Sequence, residues 1–308
     1  MNLDAIAVVG AGRMGISLAE CIASAGLQVV VIKATEGDLA PCKENLDASL
    51  QRRVARGKLE TTERDAIASR LRWSTRLADA AGCSLVIESC LEDLAAKRRI
   101  LRSLEEVISR EAVLVTNTSS LKLEELATAL RHPERFLGMH FFNPVTAMKL
   151  VELSRTSTTD TRSDALARRF CDRIGKTCVD VAPSPGYVVN RLLVPMLLHA
   201  MQTLESGIAD PDAIDEAMKL GCGHPMGPLA LADLIGLDVV LAMARTMHGE
   251  HRDARYRTPS ILRRLVLSGE LGRKTGRGIY DYSVRPPKLN PQLADDKSVE
   301  TTPAAQAL

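Results

Sequence analysis

Three groups of residues are of types and spacings that could do chemistry. The first is Gly10-Ala11-Gly12-Arg13-Met14-Gly15, directly behind the apolar run 5–9. A strand, then G-x-G-x-x-G, then a helix with Ile16, Ala19, Ile22 and Ala23 on one face is the setting in which this motif binds a dinucleotide. Gly10 permits the tight turn, Gly12 lets the backbone approach a pyrophosphate, and Gly15 lets the helix pack close to the strand. The helix N-terminus adds N–H donors and partial positive charge for the phosphates. The second group is His140 and Glu152. Residues 137–141 and 148–153 read as strands, with Asn143-Pro144 as a turn signal between them. A hairpin of the two would be centred near residue 146, midway between 140 and 152, so imidazole and carboxylate would face each other on one side of the sheet. A carboxylate bonded to one imidazole nitrogen fixes the tautomer and makes the other nitrogen more basic, as a general base for an alcohol proton requires. The third group is polar residues just past strand ends: Glu88 and Glu92 with Lys97, and Asn117-Thr118-Ser119-Ser120.

Each group also has a plainer reading. The glycines could simply make a turn, 117–120 could be only a helix N-cap, and His140 could be a satisfied core histidine. One position is anomalous. About 20 residues past such glycines an Asp or Glu normally accepts from the ribose 2′-hydroxyl of NAD. Here, after a second strand at 28–32, that position is Lys33, which cannot accept. A cation there suits a 2′-phosphate, so the sequence points to NADP. The alternative is NAD, with Lys33 in solvent and Thr35 or Glu36 on the ribose. Residues 35–59 read as one long helix carrying Arg52, Arg53, Arg56 and Lys58. Such a run is usually a solvated face, but it could also meet the phosphates of coenzyme A or phosphopantetheine. Lys274-Thr275-Gly276-Arg277-Gly278 is either a loop closing on a nicotinamide ribose or a turn before a last strand at 279–282.

The elements that must hold these groups alternate. Strand-like runs at 85–87, 112–116 and 137–141 are separated by helical patterns at 93–108 and 123–130. That alternation predicts an α/β fold with a doubly wound, Rossmann-type parallel sheet whose functional loops lie at the carboxyl ends of its strands. The Pro- and Gly-rich stretch 181–186 marks a boundary. Helical patterns follow at 188–206, 211–220, 228–244 and 260–268, with no further βαβ unit. The organisation expected is a dinucleotide-binding domain at 1–184, a smaller all-α substrate and dimerisation domain at 185–284, and a Pro-rich disordered tail at 285–308.

Composition narrows the classes. The chain has 308 residues, a length suited to two domains. Forty basic against 38 acidic residues give a net charge of +2, which argues against a nucleic-acid or membrane-surface partner. Aromatics are 3%, too few for base-stacking platforms. The longest apolar stretch, 228–244, is broken by Asp233 and Asp238 and reads as a buried helix pair. Asp4 and the absence of a basic leading region argue against a secretory signal. Seven cysteines, with no C-x-x-C and no histidine at zinc-ligand spacing, read as reduced thiols of a cytoplasmic protein without a metal.

Taken in order, GAGRMG, NTSSL, HFFNPV, MKLVE, PGYVVNRLL, MKLGCGHPMGP, DLIGLD and KTGRGIYDY resemble the L-3-hydroxyacyl-CoA dehydrogenases, including the bacterial 3-hydroxybutyryl-CoA dehydrogenases, over about residues 5–282. The resemblance implies interconversion of L-3-hydroxyacyl-CoA and 3-ketoacyl-CoA by hydride transfer with a nicotinamide cofactor. It implies His140 as catalytic base, Glu152 as its orienting partner, and Ser119 and Asn190 as hydrogen-bonding groups for the substrate. Cofactor contacts would fall on Gly10, Gly12, Arg13, Met14, Gly15, Glu92, Lys97, Ser119, Asn143 and Lys274. Coenzyme A contacts would fall on Ser49, Lys97, Ser119 and Arg56, the last in place of a lysine. Lys33 departs from the family's acidic residue, leaving NAD and NADP both open. A homodimer is implied. The same chemistry on an acyl-carrier-protein thioester is the main alternative, because both carriers share the phosphopantetheine arm. A non-catalytic dinucleotide-binding protein would have no reason to keep Ser119, His140, Glu152 and Asn190 together. A 6-phosphogluconate-type dehydrogenase would be expected to use a lysine in the helical part.

Overall fold

The computed structural model describes residue 3 and residues 5–294. The chain divides into two compact units at the Tyr187–Val188 bond. The Gly186-Tyr187 turn therefore belongs to the first unit rather than to the helical part that follows 184.

The first unit alternates strand and helix: β1 (Ala5–Val9), α1 (Arg13–Ser24), β2 (Gln28–Ile32), α2 (Ala40–Ala55), α3 (Thr61–Ser69), β3 (Leu71–Ser74), β4 (Leu85–Glu88), α4 (Leu94–Val107), β5 (Val113–Thr116), α5 (Leu123–Ala127), β6 (Phe136–Phe141), β7 (Leu150–Arg155), α6 (Thr161–Arg173) and β8 (Thr177–Asp180). Among the described residues these strands form one sheet in the order β3-β2-β1-β4-β5-β6-β7-β8. The central strands are nearly continuous apolar runs, as strands covered on both faces must be. Alternate residues feed the two sides. Val8, Val31, Ile87 and Val115 pack with Ile16, Ile22 and Phe170, whereas Ala7, Val30, Val86 and Leu114 pack with Leu101, Leu104 and Leu126.

All neighbouring strands are parallel except β6 and β7, which pair antiparallel as a hairpin. The carboxyl ends of β1, β4, β5 and β6 consequently lie along one edge of the sheet. The long helix expected over 35–59 is shorter. Residues 33–39 form a loop with Gly37 at φ 102°, Pro41 sits in the first turn of α2, and Gly57 at φ 64° closes the chain behind it. Proline is tolerated at a helix start and glycine at a left-handed exit, so both ends are set locally.

The second unit contains α7 (Val189–Glu205), α8 (Pro211–Cys222), α9 (Pro228–Ile235), α10 (Leu237–His251) and α11 (Ser260–Leu267), then β9 (Tyr280–Asp281), β10 (Lys288–Leu289) and α12 (Pro291–Ala294). Leu197, Leu198, Met201, Leu229, Val240, Tyr256 and Leu262 form its core. The apolar stretch 228–244 is indeed two helices, broken at Gly236 with φ 105°. The expectation of a disordered tail from 285 needs correction as far as 294. β10 pairs with β9, and the buried Asn290 amide donates to Glu270 Oε2 (2.8 Å) and to the Gly278 carbonyl (2.7 Å). One buried polar side chain with two acceptors thus anchors a segment poor in large apolar residues. The remainder of that expectation, 295–308, lies outside the described residues. Among the described residues, no helix is long and apolar enough to cross a membrane.

Candidate active site

The glycine loop after β1 can be read one residue at a time. A Cβ on Gly10 would lie 2.2 Å from the Ser89 carbonyl oxygen, and Gly10 has φ 115°. A Cβ on Gly15 would lie 1.8 Å from the Gly10 oxygen. The packing of β1, β4 and α1 therefore demands both glycines. Gly12 differs: it has φ −77°, and no protein atom lies within 4 Å of where its Cβ would be. The fold does not need a glycine there, but a ligand lying against the backbone would. Among the described residues no side chain caps α1, so its first N–H groups are available to a phosphate, with Arg13 exposed and Met14 half-buried beside them. These residues fit a dinucleotide.

Lys33, just past β2, is folded back on its own loop. Its ammonium donates to the Thr35 carbonyl (3.0 Å), Thr35 Oγ1 (3.1 Å) and the Glu36 carbonyl. Its ammonium is therefore tied to the loop rather than free in solvent.

His140 lies opposite Glu152 in the β6–β7 register, and His140 Nδ1 is 2.8 Å from Glu152 Oε2. Both side chains are buried. With Nδ1 bound to the carboxylate, Nε2 is the ring nitrogen outside that bond. Two rings bracket the imidazole: Phe142 with centroids 4.5 Å apart and Tyr187 at 5.4 Å. Asn117 ties the strand ends together. Its Oδ1 accepts from the Phe141 N–H (2.9 Å), and its Nδ2 donates to Ser89 Oγ (3.2 Å).

Glu92 organises the loop after β5. Its Oε1 accepts from Thr118 Oγ1 (2.6 Å), the Ser119 N–H (2.8 Å), the Ser119 hydroxyl (3.2 Å), and the Ser120 N–H (2.9 Å) and hydroxyl (3.0 Å). Burial works against the charge on Glu92, but Lys97 and these donors outweigh it and hold the carboxyl below its ordinary value. Lys97 is fully buried. Its Nζ contacts both oxygens of the buried Glu88 (2.8 and 2.9 Å) and lies 3.4 Å from Glu92 Oε2. Burial opposes its charge too, yet the two carboxylates more than offset that and keep the ammonium above its ordinary value.

Sequence models of the two parts of a known family match end to end: 3-hydroxyacyl-CoA dehydrogenase, NAD binding domain, over residues 5–184, and its C-terminal domain over residues 186–282. The chain belongs to the 3-hydroxyacyl-CoA dehydrogenase family. A 3-hydroxybutyryl-CoA dehydrogenase of Clostridioides difficile is 41% identical over 278 residues, covering 90% of this chain and 99% of that protein. One of Mycobacterium tuberculosis is 42% identical over 282 residues, covering 91% and 99%. The crystal structure of (S)-3-hydroxybutyryl-CoA dehydrogenase from Ralstonia eutropha has a TM-score of 0.83 to this one at 39% identity, covering 92% of this chain and all of that one. The protein is thus an oxidoreductase of the 3-hydroxyacyl-CoA dehydrogenase family, with an NAD-binding type of N-terminal domain.

Within this dehydrogenase, His140, Glu152, Ser119, Glu92 and the glycine loop all stand in the first unit, at the carboxyl edge of its sheet. Asn143 is exposed on the loop beyond β6. Asn190 is half-buried in the first turn of α7, in the second unit. Lys274, also in the second unit, pairs with Asp238 at the start of α10. Ser49 Oγ donates to Glu20 Oε2 (2.8 Å), and the same buried carboxylate pairs with Arg53 (2.9 Å). Ser49, Arg52, Arg53, Arg56 and Lys58 line an open cavity of about 450 Å³. The contact expected between Lys97 and coenzyme A does not match this placement, because carboxylates enclose the ammonium. Its short contacts are to Glu88, with Glu92 Oε2 3.4 Å away. Sequence reading missed Glu20, the Asn117 bridge and Tyr187. The only signal for Tyr187 was the Pro185-Gly186-Tyr187 turn in front of Asn190.

Proposed function

We propose that the protein interconverts L-3-hydroxyacyl-CoA and 3-ketoacyl-CoA, with His140 as the acid–base group. The observation that carries this is the buried His140–Glu152 pair on the sheet edge that also bears the open glycine loop. A bound nicotinamide would supply the hydride acceptor in one direction and the donor in the other. In oxidation, His140 Nε2 takes the proton of the C3 hydroxyl, and Glu152 stabilises the imidazolium. In reduction, the imidazolium returns that proton to the C3 oxygen. Ser119 hydrogen-bonds the C3 oxygen, and that bond strengthens as negative charge grows on it. The Glu92 clamp fixes the backbone from which Ser119 projects.

Arg52, Arg56 and Lys58 take the phosphates of coenzyme A. The support is their gathering around one cavity beside Ser49, and among the described residues none of the three has an ion-pair partner. For the cofactor, Lys33 favours NADP, since a cation stands where an acidic residue would accept from the NAD ribose. A 2′-phosphate would replace one of the loop acceptors now bound to its ammonium. The helical unit exposes Leu192, Ile208 and Leu220 to solvent, and these apolar side chains support a homodimer formed through that unit. Light scattering in solution tests the dimer; a monomer at micromolar concentration would exclude it.

The test of the reaction is an absorbance assay of nicotinamide oxidation with acetoacetyl-CoA, run with NADH and with NADPH, beside the acetoacetyl thioester of an acyl carrier protein. Turnover of the coenzyme A substrate is expected. Turnover of the carrier-bound substrate alone would shift the assignment to the biosynthetic alternative, and no turnover of either would overturn it.

A further inference from the structure

We infer that Tyr187 is a positioning residue for His140: its ring, stacked on the imidazole, fixes the plane in which the histidine presents Nε2. The backbone shows an unusual commitment to placing this ring. Tyr187 has φ 44°, a conformation that bulky L-residues avoid, and it directly follows Gly186 at φ 80°. Among the described residues the other non-glycine with positive φ is Arg252, which closes the C-terminus of α10. Tyr187 closes no helix. Its turn is held instead by Tyr187 N–H to the Ser184 carbonyl (2.9 Å) and Gly186 N–H to the Ser119 carbonyl (3.1 Å). One turn therefore grips the backbone of Ser119 and delivers a ring to His140.

The imidazole and phenol planes are inclined by 29° with centroids 5.4 Å apart, a stacked arrangement, while Phe142 meets the imidazole at 58°. Room for the phenol is left by Gly138, two residues before His140 on the same face of β6. A Cβ there would lie 3.2 Å from the Tyr187 oxygen and 2.8 Å from Leu123 Cδ1. The Tyr187 hydroxyl is buried and has no hydrogen-bond partner among the described residues. Burying an unpaired hydroxyl is unfavourable, so the hydroxyl does not account for the side chain's place, and the ring does. Burial, with the Glu92 and Glu152 carboxylates nearby, pushes the phenol's pKa up and keeps it neutral beside the imidazole. Glu152 constrains the imidazole at Nδ1 alone. The stacked ring restrains rotation about that bond, a freedom the carboxylate by itself leaves.

This inference rests on His140 being the base, and the tests separate the two claims. Tyr187→Phe keeps the ring and should leave kcat within about twofold of wild type, with an equal or higher Tm. Tyr187→Leu removes the ring and should lower kcat by about 10- to 100-fold, while the Kd for the cofactor stays unchanged. In proton NMR, the His140 ring protons should be shifted upfield by ring current in wild type and in the Phe variant. That spectrum does not depend on activity, and cross-relaxation between the Tyr187 and His140 ring protons separates the Tyr187 ring from Phe142 even if the Leu variant fails to fold. A Leu variant with wild-type kcat, a Phe variant as impaired as Leu, or ring protons without an upfield shift would each overturn the inference. Loss of activity in His140→Gln together with a silent Tyr187→Leu would sink only the positioning role, whereas an active His140→Gln would sink the base itself.

Discussion

Glu152 stands directly across the β6–β7 ladder from His140, so main-chain pairing is what brings the carboxylate to 2.8 Å from Nδ1. Neither partner can drift without breaking the strand register. Replacing Glu152 by Gln keeps the shape but offers an amide that can either donate or accept, so the tautomer is no longer fixed. Steady-state kinetics of Glu152→Gln should show kcat lower by about 10²–10⁴-fold with cofactor affinity retained. A kcat near wild type would mean the carboxylate does not aim the imidazole.

Two glycines of one loop should behave oppositely. Gly15→Ala places a Cβ 1.8 Å from a backbone oxygen and should cost about 3 kcal/mol or more, read as a large drop in Tm or failure to fold. Gly12→Ala meets no protein atom and keeps an ordinary backbone conformation, so Tm should be unchanged while cofactor affinity, measured by fluorescence titration, falls about tenfold or more. Full affinity in Gly12→Ala would remove the pyrophosphate from that spot.

The Glu92 clamp has a pH signature. Its carboxyl is held below the ordinary glutamate value of about 4.3, so the folded state binds that proton less readily than the unfolded chain. The stabilisation is present above that ordinary value and is lost as pH falls through the lower, folded one. Urea melts at stepped pH should therefore show wild type losing more stability than Glu92→Gln between about pH 5 and pH 3. At neutral pH the variant should be the less stable of the two. Parallel losses would show that the clamp does not depend on the charge.

Lys33 carries the cofactor question. If it receives a 2′-phosphate, kcat/KM with NADPH should equal or exceed that with NADH, and Lys33→Asp should shift the ratio toward NADH by about tenfold or more. A wild-type preference for NADH beyond about tenfold would assign Lys33 to its own loop alone.

Much of the site was legible before the fold was known, and the reasons are physical. The glycine loop could be read because its residue types answer steric demands that act over a few neighbours. His140 and Glu152 could be paired only approximately: the strand patterns at 137–141 and 148–153 are centred nearer residue 145, and the second strand begins two residues later, at Leu150, which puts the centre at 146 and Glu152 opposite His140. The roles of Ser119 and Asn190 came from the family resemblance and had no independent signal. Other features depend on packing between distant segments. Lys97 could be grouped with Glu88 and Glu92 from their spacing, but only the fold shows that it is buried with its ammonium on both oxygens of Glu88. The early part of the helix expected from residue 35 is a loop, in which Gly37 has φ 102° and the Lys33 ammonium bonds the Thr35 and Glu36 carbonyls. Asn290 looks like one polar residue in a Pro-rich stretch until its amide meets Glu270 and Gly278.

The proposed reaction depends on His140 as the proton-transfer group. The most direct measurement is single-turnover oxidation of bound NADH or NADPH by acetoacetyl-CoA in His140→Gln, with cofactor binding followed separately. We predict a rate lower by about 10²–10⁴-fold with unchanged cofactor Kd. A rate equal to wild type would contradict it.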